Sequence, residues 1–186
     1  MKSTRFGIYI IIFASTLLIN IERAFSGVVT TVPVSAEVGT GIAANLFPVG
    51  LKFDALNLFL TGPGLVFIDE QRLGMRARLQ AYDHRPAEGI AESEMGWVLF
   101  SWKLGFDPDS RQVLLHEPSL DTIEFDRDTD SSRLFHAKLK AAWSARVSDP
   151  IRSEIPPHPY VLPFKDNIRD LSYDGQAINI AVAYSL

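Results

Sequence analysis

The chain has 186 residues, 47% hydrophobic and 22% charged, with a formal net charge of −4 and no cysteine. That is one domain's length, too apolar for intrinsic disorder and sufficient for a packed core. Lack of cysteine excludes disulfides, thiolate nucleophiles, zinc–thiolate sites and lipoprotein acylation, and the acidic balance argues against nucleic acid and against electrostatic docking on anionic membranes.

Lys2 and Arg5 precede the apolar run Gly7–Ile21, followed by Glu22-Arg23 and Ala24-Phe25-Ser26. A charged start, about fifteen apolar residues and a small-residue Ala-x-Ser site make a signal peptide over residues 1–26. The expectation is export, cleavage after Ser26 and a non-lipidated periplasmic protein with one domain over residues 27–186. The alternative is an inner-membrane anchor through residues 7–21; Asn20 and Glu22 leave it short of the roughly 20 apolar residues that span a bilayer. Residues 1–26 carry Lys2, Arg5, Arg23 and Glu22, a net of +2, so a chain starting at Gly27 has −6.

Val28–Val34 is β-branched, and Pro33 confines it to a sheet edge or an extended lead-in. Ser35 can cap a helix over Ala36–Phe47, where Val38, Ile42 and Leu46 recur every four residues. Gly39 and Gly41 weaken that helix by about 1 kcal/mol each, and Pro48 stops it. Leu51–Leu60 alternates but changes phase near Ala55-Leu56, which predicts a bulge. Thr61–Gly64 reads as a turn and Leu65–Ile68 as a short strand. Leu73–Tyr82 sets Leu73, Met75, Ala77, Leu79 and Ala81 against Arg76, Arg78 and Gln80, the pattern of a half-buried antiparallel strand. Residues 83–94 read as a polar loop. Met95–Phe106 is apolar on both faces: Val98, Phe100, Trp102, Leu104 and Phe106 share one, Met95, Trp97 and Leu99 the other. Either protein covers both faces, or one of them lines a pocket or a partner site. Asp107-Pro108-Asp109-Ser110 is a turn, Arg111–His116 the returning strand, and Leu120–Phe125 a strand beyond Pro118.

Arg133–Ile155 holds the strongest periodic signal. Phe135, Leu139, Trp143, Val147, Ile151 and Ile155 recur every four residues, with Ala137, Ala141, Ala142 and Ala145 between them. At 3.6 residues per turn each step of four gains about 40°, so this stripe winds around a helix. A curved sheet that wraps the helix could cover most of it; a flat sheet under an ordinary amphipathic helix is the simpler alternative. The pattern predicts a helix to about Val147, capped by Ser131 or Ser132. A kink or restart at Asp149-Pro150 then runs through Ile155, until Pro156, Pro157 and Pro159 end it. Tyr160–Phe164 is extended, Ile168–Tyr173 a strand, Asp174-Gly175 a hairpin turn and Ala177–Leu186 the closing strand. The fold class expected is α+β: a short N-terminal helix, then a long helix wrapped by a strongly curved antiparallel sheet.

The order of Phe47-Pro48, the strands around Leu51–Leu79, Gly96-Trp97, Leu114–Leu120 with Pro118, the amphipathic helix, Pro156-Pro157-His158-Pro159-Tyr160 and Tyr173-Asp174-Gly175 resembles the YceB-like, DUF1439 family of bacterial envelope proteins. The resemblance covers about residues 33–186 and rests on order and character. It implies one tubular half of the TULIP lipid-binding fold, the architecture of bactericidal/permeability-increasing protein, with apolar ligands in a groove between helix and sheet. Family members are often lipoproteins; this chain departs in having no lipobox cysteine.

Asp126-x-Asp128-x-Asp130 starts like a calcium loop, but Ser131 and Ala137 stand where an EF-hand needs Gly and Glu. His84, His116, His136 and His158 have no ligand spacing, and no nucleophile–base, zinc-protease or phosphate-loop motif occurs. No catalytic residue, metal or cofactor is therefore expected. The expected function is binding of a lipid or other hydrophobic molecule by apolar burial, with Leu139, Trp143, Val147, Phe100 and Trp102 as the contacting residues. The competing reading is an envelope protein–protein interaction module without a small ligand, in which Trp97 contributes. Peripheral membrane contact is compatible with both.

Overall fold

The computed structural model describes residues 28–53, 56–83 and 92–184. The expected leader and most of the polar loop after Asp83 lie outside these residues. The fold is α+β. A strongly curved antiparallel sheet has the order β2-β3-β4-β5-β6-β7, and a second sheet the order β1-β9-β8. The first sheet comprises β2 (Val49–Phe53), β3 (Leu56–Phe67), β4 (Leu73–Asp83), β5 (Glu92–Asp107), β6 (Gln112–Phe125) and β7 (Ile151–Glu154). The second comprises β1 (Val28–Val34), β8 (Ile168–Tyr173) and β9 (Ile178–Tyr184). Helix α1 covers Ala36–Ala44, helix α2 Asp130–Arg146, and a 3₁₀ turn Leu162–Asn167.

The alternation of β4 sets the concave face. Ala77, Leu79 and Ala81 are fully buried, while Arg76 on the other parity is exposed. Register carries this face across the sheet: Leu51 pairs with Leu58, Leu58 with Ala81, and Ala81 with Glu94. One core joins Leu56, Leu58, Leu60, Ala77, Leu79, Ala81 and Val98 to Phe135 and Leu139 of α2. A second core joins Val34, Ile155, Val161, Phe164, Ile168, Leu171, Ile180 and Val182. Phe100 packs on the first core and Leu104 and Phe106 on the second, so β5 runs through both. Its 16 residues make that reach possible, at about 3.4 Å per residue.

Ser35 caps α1, its Oγ accepting from Val38 N at 3.3 Å. The Asp107 and Asp174 turns stand as expected: Asp107 Oδ1 accepts from Asp109 N and Ser110 N, and Asp174 Oδ1 from Gln176 N and Ala177 N. Gly175 takes φ +88° at that second turn. Pro33 does lie on an edge strand, opposite Asn179 of β9.

Other expectations are corrected. The change of phase after Phe53 is a hairpin between β2 and β3. The Thr61–Gly64 segment is a bulge within β3, where the register against β4 shifts. β6 continues through Pro118, with irregular pairing to β5 there. The cap of α2 is Thr129: its side chain accepts from Ser132 N and its own N–H donates to Ser132 Oγ, a reciprocal capping box. The helix stops at Arg146. Residues 151–154, expected as a helical restart, are strand β7 paired with Gln112–Leu115, and Ile155 enters the second core. Pro150 cannot supply the helical hydrogen bond, and the open edge of β6 offers Ile151–Glu154 a ladder instead. The Tyr160–Phe164 region is a turn followed by the 3₁₀ segment, and Tyr160 Oη donates to the Pro33 carbonyl at 3.1 Å.

Candidate functional site

The candidate site is the concave face around α2. Polar contacts fix the start of this helix. Glu94, inward on β5, is buried; its carboxylate accepts from Thr129 Oγ1 at 2.6 Å and pairs with Arg127 at 3.1 Å. Asp83, the last inward residue of β4, is buried and pairs with Lys138 Nζ at 2.5 Å. These groups anchor the cap and the third turn of α2 to two adjacent strands. Burial of ions this deep is tolerated because each has a partner.

Apolar contacts follow along the helix. Phe135, wholly buried, has its ring centre 6.4 Å from that of Phe125 on β6. Leu139 is 3% exposed in the first core. Trp143 stacks on Phe100 of β5 at 4.9 Å and 25°. At the last turn the Arg146 guanidinium lies 5.8 Å from the Phe53 ring on β2. The helix therefore covers the middle strands. The outer strands keep half-buried apolar rows on either side: Phe47, Val49, Leu51 and Phe53 on the β2 flank, Leu120, Ile123 and Phe125 on the β6 flank.

The expected site residues divide accordingly. Leu139, Trp143 and Phe100 come together. Leu139 belongs to the packed core, and the half-buried Trp143–Phe100 stack forms the accessible part. Trp102 stands on the same face two residues further along β5 and is 8% exposed. Val147 is the C-cap of α2, its N–H donating to the Trp143 carbonyl at 3.1 Å; among the described residues it joins neither core. Sequence reasoning missed Phe53 and Leu51, because β2 and β3 read as one bulged strand. It also missed the Asp83 and Glu94 anchors. Their signal was present: each continues the inward parity of an alternating apolar strand, Asp83 after Leu79 and Ala81, Glu94 before Val98.

The acidic loop before α2 is engaged by arginines. Arg78 makes a bidentate pair with Asp126, and Arg133 reaches Asp128 at 2.5 Å and Asp130 at 2.6 Å. Hydrogen bonding to Asp130, with the charge of Asp128, raises the Arg133 pKa above its ordinary value. A shallow depression of about 360 Å³ adjoins it, lined by Phe125, Arg127, Asp128, Ser132, Arg133 and His136. On the convex face, Trp97 lies under Arg76 and Arg78, at 4.4 and 5.3 Å, and Phe59 meets Tyr82 edge-on at 5.9 Å. Phe59 and Met95 are 46% and 43% exposed there.

No helix among the described residues is long and apolar enough to cross a membrane. No family model matches the chain, and no curated protein matches it.

Proposed function

We propose that this protein is an exported carrier of a lipid or other hydrophobic molecule, held between α2 and the curved sheet. The observation that carries the reading is the set of half-buried apolar side chains left around the core that α2 covers: Phe47, Leu51 and Phe53 on one flank, and Phe100 under the half-buried Trp143. The centre of the interface is packed by Phe135 and Leu139, so the ligand lies beside the helix and not beneath it. Each buried methylene contributes about 0.8 kcal/mol. About fifteen of them supply about 12 kcal/mol, which leaves micromolar affinity after an association cost of about 4 kcal/mol. The resemblance to the YceB-like family agrees with this assignment; α2 then corresponds to the rod of a TULIP-like half-tube, shortened to 17 residues. The signal-peptide pattern of residues 1–26 supports export. No chemical step is assigned to any residue.

The test is displacement of a fluorescent fatty acid, with native mass spectrometry of the purified protein. Phe53→Ala and Trp143→Ala are expected to weaken binding about tenfold each. A wild-type protein that neither retains nor takes up any apolar molecule overturns the reading.

The exposed Phe59 and Met95 beside Trp97 favour a second function, an envelope interaction surface on the convex face. Cross-linking in cells distinguishes it: a specific partner lost on Trp97→Ala, in a protein free of lipid, assigns the role to that face.

A further inference from the structure

The indole Nε1 of Trp102 and the hydroxyl of Tyr173 are buried and make no hydrogen bond among the described residues. They belong to one row. Phe67 pairs with Leu73, and Leu73 pairs with Trp102, so these three side chains stand side by side across β3, β4 and β5. Tyr173, the last residue of β8, sets its ring 5.1 Å from Phe67. With strands about 4.8 Å apart, the row from Trp102 to Phe67 spans about 10 Å. Trp102 follows Phe100 by two residues on the same face, which puts the row about 7 Å from the Phe100–Trp143 stack. The row thus adjoins the Phe100–Trp143 stack, and it differs from that stack in presenting donors.

Burying a donor without a partner loses the hydrogen bonds that water would make, and native interiors rarely leave one so. The indole N–H can only donate, and the tyrosine hydroxyl can donate as well as accept. Both are completed by an acceptor. The surrounding charge selects which kind. Burial raises the Tyr173 pKa, and the nearby Asp69 and Asp174 charges raise it further. The cations of this stretch are engaged elsewhere: Arg72 donates to Ser101, which alternates with Trp102 onto the other face, and Lys103 pairs with Glu117 at 2.8 Å. A free carboxylate would add negative charge beside Asp69 and Asp174, where Arg72 and Lys103 are already engaged. A neutral carbonyl oxygen has no such cost.

We propose, building on the apolar-ligand reading, that the ligand is an acyl chain ending in a neutral ester or amide carbonyl, and that the Trp102 Nε1–H is the donor that anchors this carbonyl. Tyr173 Oη–H, at the other end of the row, takes a further acceptor of the same head group. The chain itself lies along the Phe100–Trp143 side.

Equilibrium binding of three matched probes tests this: methyl laurate, laurate and dodecane. Methyl laurate is expected to bind the wild-type protein about tenfold more tightly than either of the others, the ratio one good hydrogen bond supplies. Trp102→Phe keeps an aromatic ring and removes the N–H; dodecane reports whatever apolar contact is lost with the smaller ring. The ester-to-dodecane affinity ratio is expected to fall from about tenfold to about one. Tyr173→Phe is expected to leave methyl laurate unchanged and to weaken monolaurin, whose head group carries further acceptors. Infrared spectroscopy of ¹³C-carbonyl methyl laurate gives a readout independent of protein stability: bound to wild type, its stretch is shifted to lower wavenumber relative to the same ester in alkane. If Trp102→Phe fails to fold, that shift in the wild type decides alone. An unshifted carbonyl, an ester no better than laurate, or a folded Trp102→Phe variant with full ester preference overturns the anchor while leaving the apolar groove standing. If dodecane and the ester both fail to bind wild type, the groove reading falls first and the anchor with it.

Discussion

Gly96 of β5 stands opposite Phe125 of β6. A Cβ there would meet the Glu124 carbonyl oxygen at 2.2 Å and Phe125 Cα at 2.9 Å. Both are backbone atoms, which cannot swing aside. Gly96→Ala is expected to cost about 3 kcal/mol, read as a lower urea midpoint. Gly39 is the contrast. Its added Cβ would clash with Leu65 Cδ2, at 2.5 Å, the end of a flexible side chain, and meet Val34 Cγ1 at an ordinary 3.8 Å, and alanine gains about 1 kcal/mol of helix propensity. Gly39→Ala is therefore expected to stay within about 1 kcal/mol of wild type. The cost of Gly39 to its helix was legible, because helix propensity is local; the need for Gly96 was not, because it depends on residues nearly thirty positions away. The turn aspartates are local too. Backbone N–H donors from Gln71 and Arg72 hold the Asp69 pKa below its ordinary 3.8. Hydrogen bonds from Ser110 do so for Asp107, and backbone donors at Gln176 and Ala177 for Asp174. A carboxylate whose pKa is depressed on folding adds stability that is complete above its unfolded value and is lost as pH falls through its folded one. The urea midpoint is thus expected to hold from pH 7 to about pH 5 and to fall below about pH 4. Asp174→Ala is expected to make that fall shallower.

Helix α2 shows why the stripe of four-residue steps was only half informative. Residues i and i+4 share a face on a helix, and they also share a face on a strand. Phe135, Leu139 and Trp143 belong to the first case. Ile151 and Ile155 belong to β7 and the residue after it, where the same spacing fits a ladder. Pro150 marks the change, but at a helix start proline is equally welcome, so the sequence left both outcomes open. The same ambiguity hid the β2–β3 hairpin behind an apparent bulge. What fixes the helix in place is also not periodic: Lys138 on Asp83, and Thr129 and Arg127 on Glu94. Removing one member strands a buried charge, which costs more than the pair contributes. Lys138→Met is expected to lower stability by about 2 kcal/mol, because its side chain keeps some access to water. Adding Asp83→Asn in the same chain is expected to restore part of that loss. Thermal unfolding of the two single variants and the double variant measures the coupling.

At the scale of the molecule, a curved antiparallel sheet was legible and the second sheet was not. β1 pairs with β9 across nearly the whole chain, Val28 opposite Tyr184, and no local pattern announces a partner so distant. The consequence is a division of labour along β5. One end is closed by the three-stranded sheet and α1; the other carries α2 with open apolar flanks. Stability and binding should therefore separate between two aromatic residues of one helix. Phe135 is wholly buried, and Phe135→Ala is expected to cost about 4 kcal/mol. Trp143 is half-buried, and its stack on Phe100 contributes about 1 kcal/mol beyond the area it covers. Trp143→Ala is expected to cost about 2 kcal/mol in stability, yet to lose most of the apolar binding if its indole forms one wall of the proposed groove. Urea unfolding and probe displacement on the same preparations test the split. Equal damage to both properties by the two substitutions would make Trp143 core, and the groove beside it merely a surface irregularity.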